Sequence, residues 1–510
     1  MKQLLVLLTL LICQPFTAPD LTAKPHVGAD EPVNVLLIVA DDLNCNLSCY
    51  GHELVKSPHI DRLAARGVRF DRAYCQYPLC NPTRASFLTG LRPNATRVFD
   101  NGAHFRTAAP DIVTLPEHFR RNGYATAGIG KLFHDGVPKG TTGLNDPQSW
   151  DYSINPHGRE RDEIDRIHSL IPGKVGGQVS WLADEGDSAE LTDAVRASAA
   201  IEWLKKHQKQ DGKQKPFFLA VGFYRPHTPY VAPASYFELY PRDRIDLPEQ
   251  PFADRDDIPL AALPDKSEQL GMTDEQRRSA IQGYYAATSF MDAQVGRLIT
   301  ALEELDLTSR TVVVFMSDHG YHLGEHGLWQ KRSLFEESAR VPLIITAPNI
   351  EPSVSTSQRL VELVDLFPTL ADLCGLSHPV HLQGRSLERL LTRPDAPFRA
   401  DALTQVICAT HSLARPNSPQ GYSIRTERYR YTQWNDGREG IELYDHANDP
   451  REQSNRAFDP AYQEVVVKLR KRLANRVRSR TRESSEAEVS RLPLRDETSR
   501  SPVRIVTLGD

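Results

Sequence analysis

Apolar residues run almost unbroken through 33–40 (VNVLLIVA), 124–130 (YATAGIG), 217–223 (FFLAVGF) and 311–316 (TVVVFM). Each run stops abruptly at polar side chains: Asp41-Asp42, Lys131, Arg225-Pro226-His227 and Ser317-Asp318-His319. Continuous rather than alternating apolar positions predict strands covered on both faces. Between them, 60–67, 115–123 and 191–207 carry helical patterns that end near glycine or a basic residue. Strands alternating with helices predict an α/β fold whose large, mostly parallel sheet is sandwiched by helices. Ligands of such sheets bind beyond the carboxyl ends of the strands, which is where these polar residues fall.

Past about residue 395 the pattern changes. Residues 421–434 and 442–445 read as short strands with turns, and 462–477 as a helix. We expect a main domain over 30–395 and a smaller antiparallel-sheet plus helix subdomain over 396–477. The Ser-, Arg- and Glu-rich tail, 478–510, is expected to be disordered.

The N-terminus refines the picture. Lys2 precedes an apolar run over 4–13, followed by small residues at Thr17, Ala18, Thr22 and Ala23. That run is shorter than the ~20 residues a membrane span needs, so 1–23 reads as a removed export signal. No later segment predicts a span. The expected location is periplasmic or extracellular in a bacterium and lysosomal in an animal, where the sequons at Asn46 and Asn94 would also matter. The 510 residues include 40% hydrophobic and 25% charged positions, ordinary for a globular enzyme, and a net charge of -5 argues against a nucleic-acid partner. Seven cysteines, one of them in the signal, form no dense disulfide framework.

Asp41, Asp42 and Asp318 all follow apolar strands. If they converge, each pair at ~4 Å repels by about 4 kcal/mol at an effective dielectric of 20, which calls for a cation or bound protons. Carboxylate oxygens favour Ca2+, with Mg2+ the alternative; equally, Asp41 and Asp42 could simply begin a loop. Lys131, His134, His227 and Lys331 lie at or beyond other strand ends, with Arg84 beside Cys80. Such cations suit an anionic ester whose leaving oxygen gains charge. Two other motifs fail on inspection. His322-x-x-Glu325-His326 matches an inverted zinc-peptidase motif, but Gly320, Gly324 and Gly327 argue against the helix it needs. Residues 128–131 (GIGK) lack the first glycine and the Ser or Thr of a phosphate loop.

Cys80-Asn81-Pro82-Thr83-Arg84 reads C-x-P-x-R. Together with 35–42 (VLLIVADD), 130–134 (GKLFH), 217–229 (FFLAVGFYRPHTP) and 317–331 (SDHGYHLGEHGLWQK), it resembles the sulfatase family of the alkaline phosphatase superfamily, in the branch of iduronate 2-sulfatase and its bacterial relatives. The resemblance implies that a maturation enzyme oxidises Cys80 to Cα-formylglycine. It makes Asp41, Asp42, Asp318, His319 and the modified Cys80 the metal ligands, with His319 where many members carry Asn. It further implies that Arg84 steadies the aldehyde hydrate, Lys131 and Lys331 bind sulfate oxygens, His134 assists collapse of the hydrate and His227 protonates the leaving alcohol. The expected function is removal of sulfate from a sulfated carbohydrate. A phosphonate or phosphate ester hydrolase and a non-catalytic glycan-binding protein are the alternatives. In 100–106 (DNGAHFR), His104 or Arg106 could pair with a uronate carboxylate, or either could be a surface residue.

Overall fold

The computed structural model describes residues 32–134, 144–209, 215–249, 254–350, 354–408 and 418–489. The expected signal over 1–23 lies outside them.

Asn34–Asp41 occupies the centre of a nine-stranded sheet, parallel to Phe217–Pro226 on one side and Thr311–Ser317 on the other. Ala125–Gly130 and then Tyr152–Ile154 extend the sheet in parallel beyond Phe217–Pro226. On the other flank Leu343–Thr346 pairs antiparallel with Thr311–Ser317 and with Val68–Tyr74. Thr356–Glu362 and Arg340–Val341 complete that edge.

The strand pattern divides two cores. Leu36, Ile38 and Ala40 face one layer, built around Ala197, Tyr284 and Met291, whereas Val35, Leu37 and Val39 face the other, built around Leu88, Phe119 and Phe367. Both faces of the central strand are therefore dry, which is why its sequence is continuously apolar. One covering helix, Asp274–Glu304, is 31 residues long and starts with a capping box in which Thr273 and Gln276 satisfy each other's backbone N–H. The sequence reading does not predict it. It is buried on most sides, so no clean apolar stripe marks it.

Ala402–Ile407, Gln420–Arg425, Tyr429–Trp434 and Ile441–Asp445 form a separate antiparallel meander. Helix Gln463–Val489 covers one face through Leu469 and Leu473 against Ile424, Tyr431 and Leu443. Trp434 and Tyr444 on the meander pack with Leu334 and Phe335 of the main layer. The helix continues to Val489, into the segment expected to be disordered. Arg, Glu and Ala are strong helix formers there, and propagating an existing helix is far easier than nucleating one. No described helix is long and apolar enough to cross a membrane.

Candidate active site

The chain leaves the central strand at Asp41 and turns at Asp42, a non-glycine residue in the left-handed region (φ 64°). That conformation costs about 1–2 kcal/mol. It is held in place because Tyr284 Oη donates to Asp42 O (2.7 Å) and Asp42 N donates to Asp318 Oδ1 (3.1 Å). Asp318 and His319 leave the neighbouring strand at the same end. Lys131 follows Gly130, whose φ of 85° and closeness to Gly222 O (2.2 Å from any added Cβ) leave no room for a side chain. Cys80 opens helix Cys80–Thr89, all ten residues of which are buried. Leu79 supplies no side-chain cap, so the partial positive charge of the helix start is available to the site.

These elements bring ten of the predicted residues together. Cys80 Sγ lies 3.4 Å from Asp41 Oδ1, 3.9 Å from Asp42 Oδ1, 3.4 Å from His319 Nε2 and 3.1 Å from Lys331 Nζ. Lys131 pairs with Asp41, and Lys331 with Asp42. Arg84 donates from Nε to Asp318 Oδ2 (2.9 Å), with Nη2 3.5 Å from Asp41 Oδ1. His134 and His227 both approach the Cys80 sulfur. His227 Nδ1 faces Thr228 O at 2.6 Å, and its Nε2 stands 3.8 Å from Asp42 Oδ2.

Opposing charges set the protonation states. Burial alone would raise the Cys80 thiol, but Lys131 and Lys331, then His134 and His227, draw it well below its ordinary value. Burial and the Cys80 charge also act to raise Asp41, yet Lys131, His227 and Arg84 prevail and hold it well below the usual carboxylate range. Asp318 goes the other way, pushed up to about 6 by burial and by Asp41 and Cys80 despite His319 and Arg84. Burial opposes charge on His319, but Asp318 overcomes it and lifts the ring to about 9. Burial, then Lys131, lowers His134 and favours its neutral form, although contact with Cys80 opposes this.

The donor set suits a cation. Ligand atoms of Asp41, Cys80, Asp318 and His319 lie within 4.8 Å of one another, as do those of Asp41, Asp42, Cys80 and His227. Asp42 Oδ2 is buried without a hydrogen-bond donor among the described residues. Lys131, Lys331 and Arg84 offset the three buried carboxylates here, and a divalent cation would take up oxygens that these side chains now engage. His319 Nδ1 lies 2.9 Å from Gly320 O, so with its proton there Nε2 is left to face the cluster.

The expected substrate contacts fare differently. Arg106 spends all five of its N–H groups internally, on Asp146 and Glu117 and on the carbonyls of Pro110 and Ile112. It clamps its own turn and has no donor left for a uronate. His104 accepts from Arg106 N, meets Asn145 O at 3.3 Å and stacks on Phe105, so both ring nitrogens are engaged. The inverted zinc-peptidase motif is also set aside: His322 and Leu323 form a short strand and 325–327 a turn, with His322 on Ser333 and His326 on Asp254.

Sequence reasoning missed the second layer. Tyr224 stacks on His227 with ring centroids 4.8 Å apart, and Lys131 Nζ lies 5.6 Å from the same ring. Lys266 donates to Gln330 Oε1 (2.5 Å), next to Lys331. Burial, with Lys331 and Arg332 nearby, pushes Lys266 down to about 8. Tyr224 lies within 217–229 but carries no reactive group that the pattern singles out, Lys266 sits in no motif, and only the folded chain brings them here.

The buried Cys80 position, ringed by cations beside an acidic cluster, suits chemistry on an anionic ester. The family description "Sulfatase" matches residues 33–376, and "N-sulphoglucosamine sulphohydrolase, C-terminal" matches 324–479. The chain belongs to the sulfatase family, the sulfuric ester hydrolases. It is 35% identical to human iduronate 2-sulfatase over 474 residues, covering 79% of this chain and 85% of that one. It is 33% identical to a sulfatase of Formosa agariphila, covering 90% and 89%. Among solved structures, the phosphonate monoester hydrolase of Agrobacterium radiobacter superposes with a TM-score of 0.72 at 26% identity, covering 89% of this chain and 96% of the other.

Proposed function

We propose that this chain removes sulfate from a sulfated carbohydrate, using Cys80 oxidised to Cα-formylglycine by a maturation enzyme. Asp41, Asp42, Asp318, His319 and the modified residue would hold a divalent cation, Ca2+ in preference to Mg2+. One observation carries the reading: Lys131, Lys331, His134 and His227 all reach the buried Cys80 position, against three carboxylates. The name of the relative at 35% identity, iduronate 2-sulfatase, supports the substrate class.

In this reading the Cys80 sulfur marks where the oxygens of the hydrated aldehyde would sit. That hydrate supplies two hydroxyls on one carbon, one to attack sulfur and one to drive sulfate out. A divalent cation held by Asp41, Asp42, Asp318 and His319 would supply positive charge to a sulfate oxygen, and hard carboxylate donors suit Ca2+. Lys131 and Lys331 grip the sulfate oxygens from two sides. Arg84, fixed on Asp318 and beside Asp41, offsets charge on the hydrate. His134, favoured in its neutral form by burial, can accept a hydroxyl proton. His227 has its ring oriented by the Thr228 carbonyl, so Nε2 can give a proton to the departing alcohol. An export signal over 1–23 would send the enzyme to the periplasm or outside of a bacterium, or to a lysosome in an animal.

The structural match to a phosphonate monoester hydrolase favours a second reading, a phosphonate or phosphate ester hydrolase with the same nucleophile. Mass spectrometry of the Cys80 peptide, joined to parallel assays with aryl sulfate and aryl phosphate, separates them. An aldehyde at residue 80 with sulfate turnover dominant is expected. A persistent thiol in active protein, or dominant phosphate turnover, would overturn the sulfatase mechanism.

A further inference from the structure

A cavity of about 410 Å3 lies one ring away from His227. Tyr224 lines it and stacks on His227, so the two spaces share a wall. A second link runs through Lys266, which donates to Gly177 O on the cavity wall (3.0 Å) and to Gln330 beside Lys331. The volume falls within the roughly 300–1,000 Å3 of small-molecule sites.

Its chemistry is that of an anion site with an apolar floor. Ile164, Ile167 and Val175 provide the floor. Arg225 is 2% exposed; its Nε donates to Val231 O (2.8 Å) and its Nη2 to Glu160 Oε1 (2.9 Å). Its Nη1 is buried without an acceptor among the described residues. Glu160, the one carboxylate lining the cavity among the described residues, is already engaged by Arg225 and by the Thr192 backbone N–H. Arg161 and Lys174 also line the cavity and form no ion pair among the described residues. Gln178 Oε1, on the same wall, is buried without a donor among the described residues. Burial, reinforced by Arg161 and Arg196, holds His157 on the same wall down to about 4, as a positively charged surrounding requires.

We propose that this cavity is a second sugar subsite, which holds the carboxylate of an acidic sugar adjoining the sulfated residue. Arg225 Nη1, Arg161 and Lys174 grip the carboxylate, and Gln178 accepts from a ring hydroxyl. Guanidinium groups match a planar carboxylate in geometry as well as charge. The proposal rests on the carbohydrate-sulfatase reading, and it makes the substrate at least a disaccharide.

The test uses the full chain in two forms. With matured enzyme, KM and kcat are measured on a sulfated disaccharide carrying a neighbouring carboxylate, on its carboxyl-reduced counterpart and on an aryl sulfate. Arg161→Ala and Lys174→Ala, on the cavity rim, should raise KM for the acidic disaccharide by roughly tenfold together. Turnover of the reduced disaccharide and of aryl sulfate should not change. With Cys80→Ala protein, calorimetry compares binding of the same two disaccharides, so the readout survives even if turnover has another cause. A clear preference for the acidic disaccharide, lost in Arg161→Ala/Lys174→Ala, supports the subsite. Equal binding of both disaccharides, or equal losses on all substrates, overturns it. Replacing the carboxylate by a second sulfate with no loss of binding would also overturn it, in favour of a general anion site. Absence of aryl sulfate turnover by wild type instead counts against the sulfatase reading itself.

Discussion

Lys331 holds its ammonium 3.1 Å from Cys80 Sγ while pairing with Asp42, so one cation touches both the Cys80 side chain and the acidic cluster. Lys131 repeats the arrangement on Asp41 from the opposite strand. Removing a preorganised charge that meets the transition state costs about 10²–10³ in rate. Lys331→Met should therefore lose that factor in kcat/KM on aryl sulfate. Its partner Asp42 is fully buried, so some destabilisation should accompany the loss, and unfolding must be measured beside the rate. Lys131→Met should lose activity as well, and should also be destabilised, because buried Asp41 loses its closest cation and keeps only Arg84, 3.5 Å away. Steady-state kinetics beside denaturant unfolding checks both. Undiminished turnover in Lys331→Met would remove it from sulfate binding.

His227 makes a sharper prediction, because proton donation matters only when the leaving alcohol is a poor one. His227→Ala should cut kcat about 10²–10⁴-fold on an alkyl or sugar sulfate. On a nitrophenyl sulfate, whose phenolate departs unaided, the loss should be much smaller. A series of leaving groups of graded pKa reads this as a steeper dependence in the variant. An identical loss on every substrate would mean that the ring only positions Tyr224 or Asp42.

Metal removal should act on stability as well as activity. Asp41 shares one buried group of ligand atoms with Asp42 and another with Asp318, and a cation held there would stabilise the native state only. Thermal unfolding after chelation should occur at lower temperature. Saturating Ca2+ should restore about 4 kcal/mol at a thousandfold excess over Kd. Asp42→Asn should weaken this metal response. A melting temperature insensitive to chelator and to added Ca2+ would refute the cation site.

The rejected zinc motif instead predicts a stability optimum. Burial, with His326 adding, pushes His322 down to about 3, against an unfolded value of 6.5. The folded state thus binds fewer protons between these limits, and stability should fall as pH drops from 6.5 towards 3. The slope is about 1.4 kcal/mol per pH unit. Burial opposes charge on His326, but Asp254 and Glu337 lift it to about 9. That contribution is complete below 6.5 and is lost as pH rises through 9. Denaturant midpoints across pH should peak near neutrality. His322→Asn should flatten the acid limb and His326→Asn the alkaline limb; unchanged limbs in both variants would reject the assignment.

Much of the site was legible because strand ends announce themselves: a dry strand must be apolar, so the first charged residue after it marks the sheet edge. Asp41, Lys131 and Asp318 stand first beyond their apolar runs, and His227 follows Arg225 beyond its own. The Asp274–Glu304 helix was not, because burial on most sides erases the stripe that reveals surface helices. Arg106 was misread for a related reason. Sequence gives a guanidinium its charge but not its partners, and Asp146 and Glu117 had already consumed this one.

By itself the sequence determined the layered class of the fold and which charged side chains follow its dry strands, since these follow from local periodicity, while its motifs carried the likeness that singled out Cys80, Arg84 and His319. Tertiary structure alone decided which charges meet. Asp42 is held in a left-handed turn by Tyr284 and Asp318, Lys266 joins Gly177 to Gln330, and Arg225 keeps one donor unspent beside His227's neighbour. Electrostatic and hydrogen-bond energies depend on distances of a few ångströms between residues remote along the chain, and no linear pattern encodes those distances.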